Sequence, residues 1–205
     1  DFPRKVLSCQ NYIRRIGILT KPKRIFVSNR LPFNVDRKTG DVERGTGGLV
    51  SALLGVNLEN PFEWLGFETD PEIARQLTSS QDDRLKSLNL HPIVIDKKLY
   101  ESYYDHFSND VIWPLFHYES NKTFFRREYW ESYKKVNQIM ADEVLKTAKD
   151  GDTIWVHDFH FLLLPEYLKR KNPSLKVGLF LHIPFPSWEI FRQLPVRDEV
   201  LRSMV

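Results

Sequence analysis

Two short segments carry the groups best suited to chemistry, Trp155-Val156-His157-Asp158-Phe159-His160 and Leu181-His182-Ile183-Pro184-Phe185-Pro186. An aspartate accepts hydrogen bonds from hydroxyls, and an imidazole can donate to a sugar or to a leaving group. Each segment follows an apolar run, residues 153–156 and 177–181, that reads as a buried strand. A helical stretch over 161–170 lies between them. Such a β-α-β unit makes its strands parallel, with their carboxyl ends on one edge of the sheet. Ligands of open α/β sheets bind along that edge, so Asp158 and His182 are expected to meet where a small molecule would sit.

Three other constellations bear on the same site. Ser28-Asn29-Arg30-Leu31-Pro32 closes a first strand that begins at Arg24. The guanidinium of Arg30 can offer a planar fork to a phosphate or carboxylate there; a surface arginine in a turn set by Pro32 is the equal alternative. Gly45-Thr46-Gly47-Gly48 precedes a helical-looking run at 49–54. Free N–H groups at a helix start attract phosphate, but an ordinary flexible loop also fits, and the spacing is neither a dinucleotide fingerprint nor a P-loop. Tyr103, Tyr104, Phe107 and the run Trp113-Pro114-Leu115-Phe116-His117-Tyr118 supply aromatic rings. Rings with polar tips suit sugars, although core packing accounts for most of them.

Several chemistries fit poorly. A zinc site at His157, Asp158 and His160 has no known ligand spacing. There is no G-x-S-x-G elbow for a serine hydrolase. A glycoside hydrolase needs two flanking carboxylates, and Asp158 is the one strand-end candidate. No metal and no cofactor is expected.

The elements around these residues alternate between strand and helix. Residues 24–28, 62–67 and 92–95 read as strands, and Pro71 sits well as a first helical residue, with Ile73, Leu77, Leu85 and Leu88 as its apolar spacing. Tyr100, Tyr103, Tyr104 and Phe107 crowd a further helix. The clearest helix runs over 129–148, where Tyr129, Tyr133, Val136, Met140, Val144 and Ala148 share one face. Asp150-Gly151-Asp152 ends it, and a last helix starts near Pro195. Residues 34–48 read as a polar, turn-rich stretch. The expected fold is α/β, a Rossmann-like, mostly parallel sheet with helices on both faces.

With 205 residues, the chain is long enough for one well-cored domain, expected over 23–205 behind an N-terminal arm or helix at 1–22. The net charge of +3 is small and the basic residues are scattered, which argues against a nucleic-acid partner. No apolar run is long enough for a membrane span. The arm lacks a signal-peptide core, and the single cysteine, Cys9, fits a reducing compartment, so a cytoplasmic protein is expected. There is no initiator methionine, so the start is not expected to be a native start as translated. The oligomeric state is left open, a homo-oligomer included.

Placed in order, these motifs resemble the trehalose-6-phosphate synthases, the retaining glycosyltransferases of family 20. The residues that carry the resemblance are Val27-Ser28-Asn29-Arg30-Leu31-Pro32, Gly47-Gly48-Leu49, Tyr104 with Phe107-Ser108-Asn109, Trp113 to Tyr118, Trp155 to His160, and His182-Ile183-Pro184-Phe185-Pro186. They match over residue 24 to about residue 201. The resemblance implies glucose transfer from UDP-glucose to glucose 6-phosphate, without metal, in a cleft between two Rossmann-like domains of a GT-B fold. It implies Arg30 and Tyr104 as ligands of the acceptor phosphate, with Trp113 and Asp158 holding the acceptor sugar. It also sets Tyr104 and Trp113 apart from the core aromatics. Gly48 resembles the backbone donor near the diphosphate, and His182 the histidine at the donor glucose, so His182 and Asp158 are the residues nearest the reaction. Two departures are visible. Phe67 stands where the family usually has Trp, and the resemblance stops inside the first domain, so the chain alone is expected to be inactive. A glucosylglycerol-phosphate synthase-like enzyme and a non-catalytic sugar-phosphate sensor are the alternatives.

Overall fold

The computed structural model describes residues 22–36, 39–45, 62–80 and 89–205. The readings at Gly47-Gly48, 49–54, Leu85, Leu88 and most of the N-terminal arm fall outside these residues. In chain order the elements are β1 (Arg24–Arg30), β2 (Phe33–Val35), β3 (Val42–Arg44), β4 (Phe62–Glu68), α1 (Pro71–Ser79), β5 (Asn89–Val94) and α2 (Lys97–Glu101). A π-helical segment (Ser102–Ile112) runs from α2 into α3 (Trp113–Phe116). Then come α4 (Arg127–Thr147), β6 (Thr153–His157), a 3₁₀ turn (Phe159–Phe161), α5 (Leu164–Lys171), β7 (Lys176–Phe180), α6 (Trp188–Phe191) and α7 (Arg197–Met204).

Among the described residues, five parallel strands form one sheet in the order β5-β4-β1-β6-β7. The chain starts in the middle with β1, builds to one side through β4 and β5, then returns to the other side with β6 and β7. The strand order therefore reverses between β1 and β6, and α/β sheets bind ligands outside the carboxyl ends at such a switch point. Arg30 ends β1 and Asp158 follows β6, so both flank it.

The central strand is buried on both faces. Ile25 and Val27 join the larger core with Ile154, Val156 and the α4 residues Tyr133, Val136, Met140 and Val144. Phe26 faces a smaller core of Leu31, Phe33, Phe62, Trp64 and Leu77. The spacing expected for α4 is what the core uses, with Trp130, Asn137 and Ala141 buried as well.

Four expectations are corrected. The stretch after Asp158 is a 3₁₀ turn followed by the shorter α5, not one helix. Trp155 and Phe180 are 39 % and 50 % exposed, so β6 and β7 bury one face rather than two. Residues 33–44 contain an antiparallel hairpin, β2–β3, within the stretch read as turns. The crowded helix at Tyr100 to Phe107 is mostly π-helical.

At the far end of the sheet, Asp152 accepts hydrogen bonds from the backbone N–H of Lys23 (2.7 Å) and Lys149 (2.8 Å), and Gly151 makes the turn at φ +85°. Nearby, the buried Glu63 pairs with Lys23 Nζ at 2.7 Å and His91 Nε2 at 2.6 Å. Burial alone would raise the Glu63 pKa, but these two partners hold it below the ordinary carboxylate value. A depressed carboxylate stabilises the fold above its unfolded pKa, and that stability is lost as pH falls through the folded value. Glu63→Gln is expected to cost about 1–2 kcal/mol at neutral pH, the half-exposed partners limiting the loss. The deficit should shrink below the ordinary carboxylate range. Urea midpoints at the two pH values check this, and an equal deficit at both would dismiss the ionic role.

Candidate functional site

The site begins with an irregularity in β1. Val27 pairs with Leu65 and Arg30 with Phe67, so β1 carries one residue more than β4 over this stretch. The extra length is held by side chains. Trp64 Nε1 donates to Ser28 Oγ (2.7 Å), and Ser28 Oγ donates to the Arg30 carbonyl (2.6 Å). Asn29 Nδ2 donates to the Tyr100 hydroxyl (2.8 Å), and the Tyr103 hydroxyl donates to Asn29 Oδ1 (3.0 Å). Gly66 lets the bulged backbone close in: a Cβ there would sit 2.9 Å from Leu31 N and 3.0 Å from the Arg30 carbonyl carbon. The bulge re-aims the end of the strand and leaves Arg30 exposed.

The Arg30 guanidinium lies 5.1 Å from the centroid of the Tyr104 ring. Burial works against its charge, but the Tyr100 hydroxyl and the nearby Tyr104 and Asp105 hold its pKa above the ordinary value, so it remains a cation. From Tyr104 a row of rings runs to Trp113. Tyr104 stacks on Tyr100 (5.3 Å) and on His160 (5.5 Å), His160 stacks on Phe159 (4.1 Å), and Trp113 meets Phe159 at 5.6 Å. Trp113 is 42 % exposed at the other end. Tyr103, Phe107, Leu115 and Phe116 are buried, as core packing requires. Phe67 is buried edge-on against Tyr100 and Tyr103, so the position that departs from the family pattern is part of the support beneath these rings.

Asp158 occupies φ 73°, ψ 173°, a region that costs a non-glycine residue about 1–3 kcal/mol. Its carboxylate accepts from the N–H of Phe159 (3.0 Å) and of His182 (3.3 Å). Burial raises its pKa above the ordinary carboxylate value, with those two N–H groups partly opposing the shift. His182 is thereby tied to the end of β6. Its ring approaches His157, with Nδ1 of His157 and Nε2 of His182 3.1 Å apart. Burial lowers the His157 pKa to about 4 and that of His160 to about 3, so both imidazoles are neutral at physiological pH.

The turn that carries Asp158 rests on α4. The Tyr133 hydroxyl donates to the Phe159 carbonyl (2.7 Å) and accepts from Leu162 N–H (2.9 Å), and Asn137 Nδ2 donates to the His160 carbonyl (3.1 Å). Tyr133→Phe is expected to orphan two buried backbone groups and destabilise the chain by about 2 kcal/mol, read as a lower urea midpoint. An unchanged midpoint would mean that the turn is held by packing.

The structure thus brings Arg30, Tyr104, Trp113, Asp158 and His182 to one edge. Gly48 lies outside the described residues; Gly45, before it, donates its N–H to the Pro32 carbonyl (2.8 Å). The sequence reading gave no site role to Asn29 or Tyr100 and weighed His160 only as a zinc ligand, yet these three link the parts. The polar residue next to Arg30 and the spacing of Tyr100 to Tyr104 were the signals for two of them. Among the described residues, no group of three or more His, Cys, Asp or Glu could hold a metal.

The chain is similar to known proteins over most of its length. The glycosyltransferase family 20 model matches residues 22–205. An Aspergillus niger alpha,alpha-trehalose-phosphate synthase (UDP-forming) is 42 % identical over 189 residues, covering 88 % of this chain and 36 % of that protein. A Pichia angusta synthase of the same name is 40 % identical over 204 residues, covering 91 % and 42 %. Among solved structures, a trehalose-phosphate synthase from Burkholderia xenovorans in complex with glucose-6-phosphate matches with a TM-score of 0.72 and 28 % identity, over 89 % of this chain and 39 % of the other. An E. coli structure bound with UDP-2-fluoro glucose matches at 0.71 and 30 %, over 89 % and 38 %. The chain spans 36–42 % of the length of these curated relatives. With the family model covering nearly all of it, the chain belongs to glycosyltransferase family 20.

Proposed function

We propose that this chain is the acceptor-binding half of an enzyme that transfers glucose from UDP-glucose to glucose 6-phosphate, giving trehalose 6-phosphate and UDP. The observation that carries this reading is Arg30, held charged beside the Tyr100 hydroxyl, set over the Tyr104 ring at the switch point and followed by a row of rings to Trp113. A phosphate suits the planar fork of Arg30, with the Tyr104 hydroxyl as a second ligand. The apolar face of a hexose suits Trp113, and its hydroxyls suit the Asp158 carboxylate. His182, tied to Asp158 through its N–H, is assigned to the donor glucose, and the backbone at Gly48 to the diphosphate. The named relatives are UDP-forming synthases, which supports the donor.

No side chain of this half is placed as a nucleophile. Retention then follows from reaction on one face of the sugar, the leaving phosphate taking the proton of the incoming hydroxyl. Transfer also needs charge stabilisation of the UDP leaving group. We assign that to a second, C-terminal domain of the same protein, and place the enzyme in the cytoplasm. Among the described residues, no helix is long and apolar enough to cross a membrane.

The test is UDP release by the full-length protein, given UDP-glucose with and without glucose 6-phosphate. Release that depends on glucose 6-phosphate is expected. Release with another acceptor in its place would move the chain to a related synthase, and binding without any release would make it a sensor.

A further inference from the structure

The pair formed by His157 and His182 has a feature that the proposed reaction does not use. His157 is 1 % exposed, and its ring lies near Phe26 (6.0 Å, 18° between planes), Trp155 (5.0 Å) and His182 (5.4 Å, 22°). Its Nδ1 is 3.1 Å from His182 Nε2. Its Nε2 is buried and has no hydrogen-bond partner among the described residues.

A neutral imidazole carries one N–H and one lone pair, so this pair has two arrangements. In one, the His157 proton sits on Nε2, where a donor is buried without an acceptor, and His182 donates across the bond. In the other, the proton sits on Nδ1 and is donated to His182 Nε2; only a lone pair is then left unmatched. Orphaned buried N–H groups are rarer than under-used acceptors, which favours the second arrangement. The burial that holds the His157 pKa near 4 keeps that ring neutral and rules out a doubly protonated bridge through it.

We infer that His157 is a positioning residue for His182: its Nδ1–H donates to His182 Nε2 and thereby fixes the ring proton of His182 on Nδ1. The backbone N–H of His182 is separately held by Asp158 at 3.3 Å, so both the main chain and the ring of His182 are referred to the end of β6. His182 then presents a fixed N–H donor. That suits an oxygen acceptor such as a sugar hydroxyl or a phosphate oxygen, and leaves the ring unable to take a proton at Nδ1. The link to turnover rests on the assignment of His182 to the donor glucose; the tautomer does not.

The experiment is ¹⁵N spectroscopy of histidine-labelled full-length protein, with His182 identified by its loss in His182→Gln. In the wild type, His182 should show a protonated-type Nδ1 and an unprotonated-type Nε2. His157→Asn, whose amide can stand in for the Nδ1 donor, should keep this pattern. His157→Leu should release it to a mixture of tautomers. A wild-type proton on Nε2 would overturn the inference, and so would an unchanged pattern in His157→Leu. If His157→Leu fails to fold, the wild-type and His157→Asn spectra still decide. Kinetics of the same proteins form a separate arm: kcat is expected to fall about tenfold in His157→Leu, with the KM for glucose 6-phosphate within about twofold, and to recover in His157→Asn. If the tautomer result holds while His157→Leu turns over like the wild type, the positioning stands and the donor-side role of His182 falls.

Discussion

Replacing Arg30 by alanine is expected to weaken glucose 6-phosphate binding about a hundredfold while leaving glucose binding within about twofold. The cation stands above Tyr104, held charged by its surroundings, and a fork-to-phosphate contact is charge-assisted. Each such bond contributes about 1.5–3 kcal/mol, which spans the expected loss. Arg30→Lys should recover part of it. An ammonium keeps the charge but lacks the planar fork and the ring contact. Calorimetric titration of the full-length protein with the two ligands separates these outcomes. Equal losses for glucose and glucose 6-phosphate would remove Arg30 from the phosphate site.

Asp158 should reveal a conflict between stability and binding. Its backbone sits at φ 73°, ψ 173°, a conformation that glycine adopts freely. Asp158→Gly relieves that strain and loses the hydrogen bonds from the N–H groups of Phe159 and His182. The two effects are of similar size, so the variant should stay within about 1 kcal/mol of wild type. Asp158→Ala loses the same two bonds and keeps the strain, and should be less stable than wild type by about 1–3 kcal/mol. Both should lose sugar binding, because both lack the carboxylate. Equal urea midpoints for the two variants would show that the residue carries no strain. The same carboxylate predicts the acid limb of binding. Its pKa is raised by burial and acceptance of hydroxyl hydrogen bonds requires the ionised form. Affinity for unphosphorylated glucose, which carries no titrating group, should therefore begin to fall at a pH above the ordinary carboxylate range. An acid limb confined to that range, measured by titration across pH, would argue that Asp158 is solvated when ligand binds.

Much of this architecture was legible in the sequence because the apolar patterns have physical periods. α4 shows its face at Tyr133, Val136, Met140 and Val144, and β1, β4 and β6 announce themselves as short apolar runs that end in polar groups. Strand ends fix where Arg30, Asp158 and His182 must lie, since a β-α-β unit has one handedness. Other features are relations between segments and leave no mark in either one. The extra residue in β1 exists only relative to β4, and its cause is shared among Trp64, Gly66, Asn29 and Tyr103. The hairpin at Phe33–Val35 and Val42–Arg44 escaped because strands of three residues are too short to show alternation. Trp155 and Phe180 were read as buried because an apolar residue in a strand does not say whether its face of the sheet is covered. The histidine pair was visible as two residues at one edge, but which nitrogens meet depends on ring orientation.

The π-helical segment between α2 and α3 could not be told from an α-helix, since Tyr100, Tyr103, Tyr104 and Phe107 fit either winding. Eleven residues in this wider coil are unusual, as the form normally occurs as a single turn. Tyr104 lies within the segment, and Trp113 begins the helix that follows it. The coil therefore sets the angular phase between Tyr104, at the proposed phosphate end, and Trp113, at the proposed sugar end. Deleting one residue within it would let the backbone relax toward tighter winding, which is the easier conformation. The same deletion would rotate Trp113 relative to Tyr104 by a sizeable fraction of a turn. Evolution of a different acceptor along this edge could thus proceed by indels that change no ring, only the azimuth at which two rings look at each other.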